Sequence, residues 1–131
     1  MPFPAILYCL VSDTVRLEER NKLSILGFFG HAPVGITVTT FGGVITLAFT
    51  LIADQGEDGT YTLGFEISDG KKSIVPRSVN QGSVIASKNR QTNLVFEVTA
   101  PYPGPGQYFI RLYIDEAKTP HFEASFELAL G

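Results

Sequence analysis

Residue types able to do chemistry gather in a few polar runs. The first spans Asp13 to Lys22 and holds Asp13, Arg16, Glu18 and Lys22. A guanidinium presents forked donors that match a carboxylate, so Arg16 is placed to bridge Asp13 or Glu18, with Lys22 closing the cluster from the other side. Such a cluster becomes a site only beside a pocket. Otherwise it is a charged strand connection, whose exposed pairs contribute about 0–1 kcal/mol. The second run, Asp54-Gln-Gly-Glu57-Asp58-Gly59, offers three carboxylates that a hard cation could use. It lacks the ligand spacing and closing glutamate of an EF-hand, so a solvated hairpin loop is expected, with no metal and no cofactor.

Charge is segregated further along. Five acidic residues and no basic one lie between Asp54 and Asp69. Lys71, Lys72, Arg77, Lys88 and Arg90, with no acidic residue, follow between Gly70 and Phe96. A basic, polar excursion suits an acidic or phosphate-bearing partner, or else it neutralises the neighbouring acidic hairpin. No aromatic interleaves these cations, and the net charge is −3. Both features argue against nucleic acid, whose single strands are read on stacking platforms. Tyr102, in the prolyl loop Pro101 to Gly106, is a candidate to stack on a sugar, or to pack against a sheet end.

Signals for catalysis are thin. Cys9 sits in an apolar run, where a thiol is usually inert. His31 and His121 are far apart in sequence, and no nucleophile elbow, phosphate loop, HExxH or paired-cysteine zinc spacing occurs. The expectation is a protein that is not an enzyme.

With 131 residues, 44% of them apolar, residues 1–131 are expected to form one domain that folds without a metal or disulfide. A lone cysteine makes no internal bridge. The apolar run Ala5 to Val11 has no basic flank and is too short to span a bilayer, so no membrane role and a cytoplasmic location are expected. Charged residues reach only 18%, below the roughly 25% usual for soluble domains, as if a partner covered some apolar surface.

The elements that must position these groups are strands. Tyr61, Leu63, Phe65 and Ile67 share one parity; so do Leu94, Phe96 and Val98; Tyr108, Ile110, Leu112 and Ile114; and Phe122, Ala124, Phe126, Leu128 and Leu130. A period of two buries one face of a strand and wets the other. Strands are predicted near 4–12, 22–29, 34–41, 44–52, 61–68, 92–99, 107–115 and 121–130, with weaker candidates near 73–76 and 83–86. Glycine, proline and aspartate separate them. The expected fold is an all-β, immunoglobulin-like antiparallel sandwich of about eight to nine strands, with a jelly roll as the alternative. The best helical candidate, Asp13 to Lys22, is long enough for one turn.

The run Asp13-Thr-Val-Arg-Leu-Glu, with Lys22-Leu-Ser and Gly27 before Phe28-Phe29, resembles a bacterial family of small β-sandwich proteins of unknown function. Asp13, Val15, Arg16, Glu18, Lys22, Leu23, Ser24 and Gly27 fit its pattern, with weaker agreement in Gly106-Gln107-Tyr108. The resemblance implies a sandwich and carries no activity.

Strands of the first half are apolar on both faces, so both faces must be covered, by a neighbouring subunit or a folded-over loop. Leu7, Cys9 and Val11 on one strand, with Leu26 and Phe28 on the next, are the candidate interface residues. The expected function is binding or assembly through protein contacts, the partner being another protein or a second copy. Binding of a carbohydrate or other small polar ligand through Tyr102 is the alternative.

Overall fold

The computed structural model describes residues 3–77 and 83–131. Their alternating and apolar runs form ten strands: β1 (Ile6–Leu17), β2 (Leu23–His31), β3 (Val34–Val38), β4 (Ile45–Ala53), β5 (Gly59–Ser68), β6 (Ser73–Val75), β7 (Ser83–Ala86), β8 (Thr92–Ala100), β9 (Gly106–Ile114) and β10 (Phe122–Leu130). Both weaker candidates, near 73–76 and 83–86, are strands.

Two sheets pack into a sandwich. The first has the order β2-β1-β4-β8, and the second β3-β10-β9-β5-β6, with β7 also paired to β5. Between them lie Cys9, Val11, Leu47, Phe49 and Leu51 from the first sheet and Phe65, Ile67, Ile110, Leu112, Phe126 and Leu128 from the second. Phe49 meets Phe65 and Phe126 with ring centroids 5.7 and 5.5 Å apart. The sandwich is not wholly antiparallel, because β3 runs parallel to β10. A parallel pair needs a long connection, and most of the chain intervenes between these two strands.

The polar run from Asp13 belongs to a strand rather than a helix. β1 continues through it to Leu17, pairs with β2 from Leu10↔His31 to Leu17↔Leu23, and leaves only Glu19–Asn21 as a single 3-10 turn. The two strands form a projecting hairpin, the arm. A register shift between Val11 and Ser12 marks where β1 leaves the flat sheet, as bulges bend and twist the strand that carries them.

Beyond that bend the arm leans across the outside of β4 toward β8. Thr14 donates its hydroxyl proton to Glu97 of β8 at 2.8 Å, although β4 separates the two strands. Ala48 and Thr50 of β4 have outward parity, opposite to Leu47, Phe49 and Leu51, yet both are buried.

Candidate functional site

The polar cluster of the arm does not assemble into an ion-pair network. Among the described residues, Asp13, Arg16, Glu18 and Lys22 form no salt bridge with one another. The reason lies in the strand: Asp13 and Arg16 have opposite parity, so they leave opposite faces of β1. Glu18 and Lys22 instead close the arm's tip through their backbones, the Glu18 N–H donating to the Lys22 carbonyl at 2.7 Å. Asp13 packs against Gly27 of β2.

The basic residues string out rather than converge. Lys71 and Lys72 lie in the turn between β5 and β6, where Asp69 Oδ1 accepts both of their backbone N–H groups at 2.8 Å. These bonds hold the Asp69 carboxyl below its ordinary pKa. Lys88 and Arg90 follow β7, at the opposite end of β5, with the Lys88 N–H donating to Asp58 Oδ1 at 3.1 Å. From Ser68, beside the first pair, to Gly59, beside the second, is a span of roughly 30 Å at strand rise. Arg77 stacks its guanidinium 3.8 Å from the centroid of the Tyr113 ring. Residues 78–82 of the basic stretch lie outside the described residues.

Three candidates prove to be core. Tyr102 is 1% exposed and packs edge-on against Tyr108 and Phe126, at 5.0 and 6.0 Å. Its loop is clamped by Tyr108, whose hydroxyl donates to the Gly104 carbonyl at 2.6 Å. A large apolar ring at the sheet end is more stable filling the open edge of the core than facing water. Cys9 and Val11, expected at an interface, point inward opposite Leu51 and Phe49 and are buried. Burial pushes the Cys9 thiol up to about 12. Leu7 is freed from that parity by a register shift between Ile6 and Tyr8, and is exposed.

The strongest polar network was not anticipated from sequence. Glu66 on β5, Arg111 on β9 and Glu123 on β10 stand in register across the second sheet. Arg111 Nη1 lies 3.3 Å from Glu66 Oε1, while its Nε donates to Glu123. Ser73 donates to the other Glu66 oxygen at 2.8 Å, and Tyr113 reaches Oε1 at 3.3 Å. The Glu123 bond first, and Glu66 after it, raise the Arg111 pKa; burial, then Glu66, raises that of Tyr113. The available signal was the polar residue in the middle of each alternating strand, with opposite signs on neighbours.

Exposed apolar side chains gather at the β2 end of the first sheet. Tyr8, Phe28 and Leu26 are 55%, 56% and 40% exposed, and Phe29 adds to them along β2. β2 is also the edge of its sheet, with β1 on one side only. A cleft of about 610 Å³ separates the arm from the first residues of β8.

The family model described as a family of unknown function, DUF6941, matches residues 7–125. The chain belongs to that family. No curated protein matches it. Among solved structures, it is similar to the Pseudomonas fluorescens alkylpurine DNA glycosylase AlkC, bound to DNA containing an abasic site analog, at 18% identity and a TM-score of 0.46. The match covers 74% of this chain and 28% of the glycosylase.

In this DUF6941 domain the groups with displaced pKa values are all moved away from neutral pH. Cys9 is raised to about 12, Tyr102, Arg111 and Tyr113 are raised from values already high, and Asp69 is lowered. Among the described residues no three His, Cys, Asp or Glu side chains are grouped to hold a metal ion. No helix among them is long and apolar enough to cross a membrane.

Proposed function

We propose that this DUF6941 domain is a non-catalytic assembly module that pairs with a second copy of itself through the β2 edge. The observation that carries the reading is the run of exposed Leu26, Phe28 and Phe29 on an edge strand, continued by Tyr8 on its neighbour. Exposed apolar patches mark interfaces, and a bare strand edge is a template for another chain. Two-fold pairing lets one patch cover its own copy. The carbohydrate alternative loses its main residue with Tyr102 buried.

A non-catalytic role is supported by burial of the one thiol, Cys9, inside the core, where it is withdrawn from substrate. An immunoglobulin-like topology, rather than a jelly roll, is supported by the Tyr108 hydroxyl bonding back to Gly104, as in a tyrosine corner.

Light scattering after size exclusion tests the pairing. The wild type should elute at about twice the chain mass, and Phe28→Glu should shift it to the monomer without loss of fold. A wild-type protein that stays monomeric at high concentration overturns the reading.

A further inference from the structure

We propose that the cleft between the arm and the start of β8 binds a small aliphatic monoanion, with its hydrocarbon body between Val15, Leu17, Leu23 and Val95 and its head on Arg90. The cleft measures about 610 Å³, within the roughly 300–1,000 Å³ of small-molecule sites. Its walls come from two places in the fold. The arm supplies Val15, Leu17 and Leu23, and β8 with its preceding turn supplies Val95 and Arg90.

Charge decides the class of occupant. Arg90 is the only charged residue of the lining; the other polar contributors are amides and a hydroxyl. Among the described residues, no carboxylate forms a salt bridge with Arg90. A guanidinium beside a low-polarity wall, without a carboxylate of its own, selects an anionic head, to which it can offer forked donors.

The backbone that carries Arg90 is held in place. Ser87 and Arg90 form a β-bridge, and the Asn89 N–H donates to Ser87 Oγ at 3.1 Å. Asp58 accepts the Lys88 N–H, and the Gly56 N–H donates to the Ser87 carbonyl at 3.1 Å. The opposite wall is open to a ligand: Leu17 is 74% exposed, an arrangement that leaves a large aliphatic side chain in water until something covers it. None of Tyr8, Leu26 and Phe28 lines the cleft, so this site and the β2 pairing stand on separate residues.

Titrating the uniformly 15N-labelled chain with octanoate, and separately with octanol, tests the site. Octanoate should give saturable amide shifts confined to residues 15–17, 23–25 and 90–95. Arg90→Gln should weaken octanoate about tenfold and leave octanol unchanged. Leu17→Ser, at an exposed position that does not threaten the fold, should weaken both ligands. The proposal is overturned if octanoate shifts none of these amides, or if Arg90→Gln binds it as well as the wild type. Saturation by a peptide with an apolar, free C-terminus but not by octanoate would likewise overturn it, and assign the cleft to protein ends.

Discussion

Asp13 and Gly27 face each other across the base of the arm, the carboxyl of one occupying the space that a side chain on the other would need. Gly27 has φ +65°, a left-handed conformation that costs an L-residue about 1 kcal/mol or more. Two penalties therefore act at one position, backbone strain and steric overlap, and they can be separated.

Gly27→Ala should destabilise the protein by about 1–3 kcal/mol, the sum of the strain and the collision. Adding Asp13→Ala should recover the steric part alone, since the φ penalty remains. A double-mutant cycle from denaturant midpoints reads the coupling. Full additivity would show that the carboxyl swings away freely.

Parity on β9 makes a second test. Leu112 is fully buried, while Arg111, its neighbour in sequence, bridges two carboxylates on the outer face. Leu112→Ala should cost about 2–5 kcal/mol through lost burial and the cavity left behind. Arg111→Ala should cost about 1 kcal/mol, because Glu66 and Glu123 then face each other's charge in a half-shielded position. Urea midpoints in the opposite order would place the strand one residue out of register.

Strands with one wet face were legible because alternation assigns each side chain to a side. That holds for β5, β8, β9 and β10, where the polar residues Glu66, Glu97, Arg111 and Glu123 all lie on the outer faces. β1 gave no such assignment, since Tyr8 and Leu10 are as apolar as Cys9 and Val11. Inward pointing of Cys9 and Val11 is decided by pairing with Leu51 and Phe49, partners some forty positions away. The same distance hid the reach of Thr14 to Glu97 on β8: the arm makes it only after a bulge bends β1, and no local pattern announces a bulge. Glu66, Arg111 and Glu123 were visible singly, but their row exists only once β5, β9 and β10 are adjacent.

The turn at Asp69 yields the last test. Its carboxylate accepts the backbone N–H groups of Lys72 and Lys71, which lower its pKa below the ordinary 3.8. A carboxyl with a depressed folded pKa stabilises the native state fully above its unfolded value and loses that contribution as pH falls through the folded value. The wild type should therefore lose stability on acidification below about pH 4, and Asp69→Asn should lose less over the same window, because its amide does not titrate. Thermal midpoints measured at pH 7, 4 and 3 give the comparison. Parallel decline of the two proteins would show that this carboxylate contributes nothing to the acid limb.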